Sequence, residues 1–270
     1  MQYKLDQSLQ PFTIPGTVEW MLNSENRKYR IMMWIPDSEA PKEGFPVYYL
    51  LDGNAIFATF TEAVRMKATG PRKQQPAVVV GIGYPSDTPF DTKRRFMDYT
   101  TFANPDEMPE HKQDRHWPAN GGVDQFLDFI EDILMPSVAS HVNIDQERQA
   151  LFGHSLGGFC TLYTLFTRPY MFQYYAAGSP SVWWKNNVIT HYCSQFKLRK
   201  GFLKRKLFIG IGSDEHDHMV KGNKELSSLL AAQHQDKIDL TFKCFTGENH
   251  ISVLLPFISR VIRDFQQTEI

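Results

Sequence analysis

The segment GHSLG at residues 153–157 contains the residues with the clearest catalytic potential in this chain of 270 residues. It matches the pattern G-x-S-x-G, in which a sharp turn between a strand and a helix raises a serine hydroxyl above a sheet. The apolar segment before it predicts a strand and the apolar segment after it predicts a helix, which is the context that this turn requires. We therefore predict that Ser155 is a nucleophile rather than a small residue in a glycine-rich turn.

A serine hydroxyl needs a base within hydrogen-bond reach, because it is a poor nucleophile at neutral pH. His250 follows the last predicted strand, so the chain order serine, acid, histidine matches the α/β-hydrolase arrangement. For the acid, Glu215 is our first choice and Asp214 the substitute, since both follow the preceding predicted strand, where a carboxylate would orient the imidazole. The alternative is that these acids only cap the helix that follows them.

Attack by Ser155 on a carbonyl would create an oxyanion, which backbone N–H groups must stabilise. We expect one donor from Leu156, directly after the nucleophile at the start of a helix. We expect the other from Gly53 or Asn54, in the loop that follows the apolar run VYYLLD. A plain turn at Asp52-Gly53 is the alternative interpretation of that loop.

Two charged clusters allow more than one interpretation. The basic run at residues 93–95, which includes Arg94 and Arg95, is either a solvated surface or a clamp for an anionic substrate, because a guanidinium offers several donors in one plane. His216 and His218 alternate with acids, which raises the question of a metal site. Alternating residues on a loop point in different directions, however, and no second His or Cys pair has ligand spacing. We expect neither a metal nor a cofactor.

Strands and helices alternate along most of the chain. The segments 17–20 and 29–36 predict an antiparallel hairpin. Short apolar runs at 45–53 and 77–85 predict strands that are buried on both faces. The pattern predicts one α/β domain over residues 1–270, with a mostly parallel central sheet and helices on both faces. Its functional site should lie at the carboxyl ends of the parallel strands.

Residues 86–120 differ from this alternation, since they are rich in Pro, Asp, Arg, Lys and His and contain no periodic element. A loop of this length in a compact domain is usually functional or mobile. We therefore predict a long loop insertion near the active site.

The overall composition excludes several classes of partner. A net charge of −1 excludes a strongly basic nucleic-acid surface and gives no reason to expect a membrane partner. Three scattered cysteines are too few for a disulfide framework. The N-terminal segment has no apolar core of a signal peptide, and no apolar run approaches the length of a membrane span. We expect a cytoplasmic protein whose partner is a small molecule.

Five motifs together resemble the esterase D superfamily of α/β hydrolases, and most closely its siderophore esterases, which cleave the serine trilactone of enterobactin-type catecholates. The motifs are GHSLGG, VYYLLDGNAIF, RRFMDYTTF, GSPSVWW and GENH. The resemblance extends from about residue 17 to the C-terminal helix. It implies the α/β-hydrolase fold and a Ser–His esterase that acts through Ser155 and His250, with Glu215 less secure because the acid varies among relatives.

The resemblance also implies that Arg95 is a substrate-facing cation and that Trp183 and Trp184 line the site for catechol rings. Core packing is the alternative for one of the two tryptophans. The resulting hypothesis is a serine esterase that forms an acyl-enzyme and acts on a catecholate siderophore. The alternatives are a generic carboxylesterase or thioesterase, of S-formylglutathione or feruloyl type, and a non-catalytic binding protein on the same scaffold.

Overall fold

An eight-stranded sheet runs through the centre of the computed structural model. The model describes residues 12–25, 27–69, 74–109, 116–199 and 201–267. The strands are β1 (Thr17–Ser24), β2 (Arg27–Trp34), β3 (Phe45–Leu50), β4 (Val78–Gly83), β5 (Ile144–His154), β6 (Tyr174–Gly178), β7 (Arg205–Gly212) and β8 (Ile238–Phe245). Their order in the sheet is β1-β2-β4-β3-β5-β6-β7-β8. The first three strands in this order pair antiparallel, and the pairs from β4 to β8 are all parallel, so the predicted hairpin and parallel sheet are confirmed.

Helices cover both faces of the sheet. They are α1 (Gly53–Thr69), α2 (Thr92–Tyr99), α3 (Val123–Phe129), α4 (Met135–His141), α5 (Leu156–Thr167), α6 (Trp184–Gln195), α7 (Asp217–Gln233) and α8 (Leu254–Gln266). Apolar side chains of α1 and α8 pack on one face, and those of α3 to α7 pack on the other. Of the helices in the described ranges, none has the length and apolar character that crossing a bilayer requires.

Side chains of the central strands alternate between the two faces, as the pleat of a strand dictates. Val47 and Tyr49 of β3 belong to the core beneath α3 to α7, whereas Tyr48 and Leu50 belong to the core beneath α1 and α8. All four side chains are fully buried. Burial on both faces explains why the strand is a continuous apolar run in the sequence.

The prediction of an aperiodic loop over residues 86–120 is wrong in part, because this segment contains α2 and a 3₁₀ turn at Pro105–Glu107. Residues 110–115 lie outside the described part of the chain. The side chain of Asp91 caps α2 by accepting a hydrogen bond from the Arg94 N–H at 3.1 Å. The inner side of this short helix includes Arg95 and the buried Asp98, so it lacks the apolar period that normally signals a helix.

Loops at the carboxyl ends of the parallel strands meet at one edge of the sheet. Asp52 follows β3, Ser155 follows β5 and Ser179 follows β6. Glu215 and His250 lie in the loops after β7 and β8. The topology therefore gathers at one edge residues that are far apart in the sequence.

Candidate active site

Ser155 occupies a strained turn between β5 and α5, with φ of 61° and ψ of −117°. A positive φ is uncommon for a residue with a side chain and persists where the surrounding structure holds it. Here the Ser155 N–H donates to the carbonyl of Gly178 at 2.8 Å. A Cβ on Gly153 would lie 2.2 Å from the Gly157 carbonyl oxygen, and one on Gly158 would lie 2.8 Å from that of Gly178. The turn therefore requires glycine at positions 153 and 158.

The structure brings together Ser155, His250 and Glu215. The Ser155 Oγ lies 3.0 Å from the His250 Nε2, and the His250 Nδ1 lies 2.7 Å from the Glu215 Oε2. The carboxylate side chain is 1% exposed and the imidazole side chain 38% exposed. A hydroxyl, an imidazole and a buried carboxylate in this order can activate the hydroxyl for attack on an acyl carbon.

The second oxygen of the Glu215 carboxylate is held independently of the histidine. It accepts hydrogen bonds from the Ser179 hydroxyl at 2.5 Å and from the Gly212 N–H at 2.9 Å. Burial raises the pKa of Glu215, but hydrogen bonds from His250, Ser179 and Gly212 outweigh it, and the net pKa lies below the ordinary value. The carboxylate is thus ionised and oriented to hold the imidazole.

The two acids that the sequence left open are separated by the structure. Asp214 is exposed, and its carboxylate accepts a hydrogen bond from the adjacent Ser213 hydroxyl at 2.7 Å. Of these two acids, Glu215 contacts the imidazole of His250 and Asp214 bonds to Ser213 instead. Sequence reasoning missed Ser179, although its position directly after β6 was a usable signal, because that strand ends at the same edge of the sheet.

The residues predicted for the oxyanion hole lie at the starts of two helices. Leu156 begins α5, and Gly53 and Asn54 begin α1. The first N–H groups of a helix have no partner within the helix and are free to bind an anion. The two helix starts are neighbours, because a Cβ on Gly157 would lie 3.4 Å from the Oδ2 of Asp52.

The side chain of Asn54 ties the start of α1 to the loop after β4. Its Oδ1 accepts from the Tyr84 N–H at 2.8 Å, and its Nδ2 donates to the carbonyls of Tyr84 and Ser86 at 3.0 and 2.6 Å. These bonds occupy the side-chain amide. An oxyanion contact at this position therefore falls to the backbone N–H group.

A buried histidine that the sequence analysis did not single out packs against the candidate base. The ring of His154 lies 4.7 Å from that of His250, and it is 3% exposed. Burial, followed by the nearby His250 and Arg95, holds the pKa of His154 well below its ordinary value. This imidazole is neutral and forms a wall behind the base.

Arg94 and Arg95, for which the sequence allowed a substrate-facing role, each form an ion pair within the protein. The Arg95 side chain is 12% exposed, and its Nε donates to the Oδ1 of Asp52 at 2.8 Å. The Arg94 Nη2 lies 3.2 Å from the Oδ2 of the buried Asp98. Each guanidinium group therefore binds a carboxylate, which for Arg95 lies 43 residues away in the sequence and for Arg94 lies 4 residues away.

The two adjacent tryptophans have different environments. Trp184 is fully buried, and its Nε1 donates to the Thr101 carbonyl at 3.1 Å, so the prediction that it lines the site is wrong. Trp183 is partly exposed and borders a cavity of about 250 Å³ next to the nucleophile. The lining residues of this cavity are Ser155, Ser181, Trp183, Glu215, His216, His218, Met219 and His250.

The first turn of α7 and the residue before it form one wall of this cavity. The rings of His216 and His218 stack there with centroids 5.7 Å apart and planes inclined by 13°. A second cavity of about 450 Å³ shares Trp183 and His218 with the first and extends to Lys221 and Asn186. A larger cavity with aromatic and polar walls therefore neighbours the space next to Ser155.

Comparison with known proteins places the chain in a family. A family model described as "Putative esterase" matches residues 23–251. The Bacillus subtilis (strain 168) ferri-bacillibactin esterase BesA is 41% identical over 261 residues, which cover 93% of this chain and 90% of that protein. The Emericella nidulans siderophore enterobactin esterase is 31% identical over 286 residues, with coverage of 93% and 94%.

Solved structures agree with this placement. The crystal structure of the BES protein from Bacillus cereus has a TM-score of 0.89 at 36% identity, and the match covers 96% of this chain and 99% of that one. The chain therefore belongs to this esterase family and has the α/β-hydrolase fold.

Proposed function

We propose that this protein is a serine esterase that opens the ester bonds of a siderophore through an acyl-enzyme on Ser155. The observation that carries the proposal is the continuous hydrogen-bonded relay from Ser155 through His250 to Glu215, with distances of 3.0 and 2.7 Å. The relay ends on a buried carboxylate and begins on a hydroxyl that borders a cavity. A hydroxyl bonded to a base that a third group orients is the arrangement typical of acyl transfer to serine.

The reaction begins when the Nε2 of His250 accepts the proton of the Ser155 hydroxyl as its oxygen attacks the ester carbonyl. Glu215 stabilises the imidazolium that forms. The N–H groups of Leu156 and of Asn54 or Gly53 bind the oxyanion of the tetrahedral intermediate. Collapse of the intermediate breaks the ester bond, and the leaving alkoxide takes the proton from His250.

The acyl-enzyme is then hydrolysed by the same groups in the same order. His250 accepts a proton from water, whose oxygen attacks the acyl carbon of the serine ester. The second intermediate collapses with release of the carboxylic acid, and the Ser155 oxygen recovers its proton from the imidazolium. One ester and one water are thus converted into one alcohol and one acid.

A catecholate siderophore is the substrate class that we propose. The names of the relatives support it, as do the ring of Trp183 and the stacked imidazoles of His216 and His218 around the cavity. A molecule with several aromatic arms also makes use of the second cavity, which shares Trp183 and His218 with the first. The proposal places the reaction in the cytoplasm, with support from the three cysteines, which are all described and are free thiols.

The experiment is a mass-resolved hydrolysis time course on ferric and iron-free cyclic catecholate trilactone. Parallel reactions use p-nitrophenyl acetate and S-formylglutathione. Ser155→Ala is the test variant, and Ser181→Ala is the matched control, because Ser181 lines the same cavity but is not the hydroxyl bonded to His250. We expect Ser155→Ala to abolish opening of the trilactone and Ser181→Ala to retain most of it.

The other outcomes separate the alternatives. Turnover of p-nitrophenyl acetate alone would leave a serine esterase and overturn the siderophore assignment. Preference for S-formylglutathione would indicate a thioesterase. Absence of turnover together with no labelling of Ser155 by an organophosphonate would indicate a binding protein on a hydrolase scaffold.

A further inference from the structure

One guanidinium group joins the two loops that the proposed oxyanion hole requires. The Arg95 Nη2 donates to the carbonyl of His154 at 3.2 Å, and His154 directly precedes the nucleophile. Its Nε donates to the carboxylate of Asp52 at 2.8 Å, and Asp52 directly precedes α1. Arg95 therefore contacts the residue before Ser155 and the residue before Gly53 at the same time.

Both ends of this bridge lie at strained backbone. Ser155 has a φ of 61° and Asp52 a φ of 55°, in the region that side chains rarely adopt. The side chain of Asp52 is 2% exposed. The backbone N–H of Asp52 donates to the Tyr99 hydroxyl at 3.0 Å. Strained residues persist only where their surroundings over-determine them, and the Arg95 bridge is a contact that restrains both turns.

Stability alone does not explain this pair. Removing two opposite charges from water costs more than burying two apolar side chains of similar volume, so such a pair is weak evidence for stability. What the pair offers is geometry, because the planar guanidinium holds its two acceptors in fixed directions. Oxyanion stabilisation depends on donors that are already in place, and a misplacement of about 1 Å can lower a rate about 100-fold.

We propose that Arg95 is a positioning residue, which sets the start of α1 relative to Ser155 so that the oxyanion donors of both loops are aligned before the substrate binds. This inference rests on the proposed esterase function. It differs from a substrate-binding role, because Arg95 acts on two backbone segments and is not among the residues that line the cavity.

The neighbouring Arg94 offers a matched control. It lies on the same helix, its Nη2 binds the buried Asp98 at 3.2 Å, and its guanidinium lies over the rings of Tyr29 and Tyr84. Its backbone contact is the carbonyl of Lys28, which belongs to β2 and not to the site. Both arginines therefore lie on α2 and bind a buried aspartate. They differ because Arg95 contacts the nucleophile turn and Arg94 contacts β2.

The experiment measures kcat and KM for p-nitrophenyl acetate and for the catecholate trilactone with Arg95→Met, Arg95→Lys and Arg94→Met. Circular dichroism and thermal melts establish that each variant is folded. We expect Arg95→Met to lower kcat on the order of 100-fold for both esters with a small change in KM. Arg95→Lys should be intermediate, since one ammonium cannot reproduce the planar fork. Arg94→Met should retain most of the wild-type kcat.

If Arg95→Met does not fold, a double variant tests the proposal instead. Arg95→Met with Asp52→Asn removes both charges, so no unpaired carboxylate stays buried. Its kcat should also be low. Equal losses of kcat for the Arg94 and Arg95 variants would overturn the proposal. So would an Arg95→Met variant whose only change is a higher KM for the trilactone. If the wild-type enzyme hydrolyses p-nitrophenyl acetate but does not open the trilactone, the siderophore assignment is wrong. The positioning role of Arg95 is then still tested by kcat for p-nitrophenyl acetate.

Discussion

The imidazole of His154 lies against the imidazole of His250, with ring centroids 4.7 Å apart and ring planes inclined by 45°. The Nε2 of His154 is buried and has no hydrogen-bond partner among the described residues. A second positive charge at this position would oppose formation of the imidazolium on His250 during the reaction. Burial prevents that charge, since it keeps the pKa of His154 well below the ordinary value.

We predict that His154 makes stability depend on pH. Below the ordinary pKa of 6.5, the unfolded chain binds a proton at this position that the folded chain rejects, so the free energy of unfolding falls as pH falls. For this one group the slope is at most about 1.4 kcal/mol per pH unit. Urea unfolding between pH 5 and 8 should therefore be less pH-dependent for His154→Gln than for the wild type. Equal slopes for the two proteins would contradict the prediction.

We predict that Glu215→Gln lowers kcat on the order of 10²- to 10⁴-fold, because an amide can neither fix the imidazole tautomer nor stabilise the imidazolium. Asp214→Asn is the matched control, since that side chain is exposed and bonded to Ser213 instead. It should leave kcat near that of the wild type. Steady-state kinetics with p-nitrophenyl acetate measures both variants. A larger loss for Asp214→Asn would reverse the assignment of the acid.

We predict that the glycines of the nucleophile turn differ in their effect on folding. Gly153→Ala would place a methyl group 2.2 Å from a backbone oxygen of α5, and we expect it to lower the free energy of unfolding by roughly 2–4 kcal/mol. Gly157→Ala places its methyl no closer than 3.4 Å to any neighbour, so its effect should be small. Urea denaturation measures both, and similar losses would show that the turn adapts to the added carbon.

We predict that substitution of Trp183 affects substrate binding, whereas substitution of Trp184 affects stability. Trp183→Ala should raise KM for the trilactone roughly 2- to 10-fold, as expected for loss of an aromatic contact worth about 0.5–1.5 kcal/mol. It should leave turnover of p-nitrophenyl acetate nearly unchanged. Trp184→Ala removes a fully buried ring and should lower the free energy of unfolding by about 3–5 kcal/mol. An unchanged KM for Trp183→Ala would remove this side chain from the substrate site.

The proximity of Ser155 and His250 was predictable from sequence because the position of each depends on local features. The first lies in a short motif between an apolar strand and an apolar helix, and the second follows the last strand. The parallel sheet was predictable for the same reason, since strands buried on both faces are continuous apolar runs. The choice between Asp214 and Glu215 was not, because neighbouring residues on one loop differ only in the direction of their side chains.

The surroundings of Arg95 and the existence of α2 were not predictable, because a sequence does not reveal the partner of a charge. The sequence predicts that Arg95 faces solvent or substrate, because its partner Asp52 lies 43 residues earlier in the chain. Helix α2 escaped prediction because charged side chains occupy its inner side. Trp183 and Trp184 are neighbours in the sequence, and only the structure shows that the first is partly exposed and the second fully buried.

The acid, base and nucleophile follow the ends of sheet strands, whereas two residues of the cavity wall, His218 and Met219, lie in the first turn of α7. His218 and Met219 therefore lie on a helix, whereas the residues of the proposed relay lie at the strand ends, although Glu215 is only three residues before His218. Exchange of the first turn of α7 alters what fits beside the nucleophile while the sheet keeps the relay in register. Substitutions in this one helical turn would therefore change the wall beside the nucleophile without moving the strand ends that hold the relay.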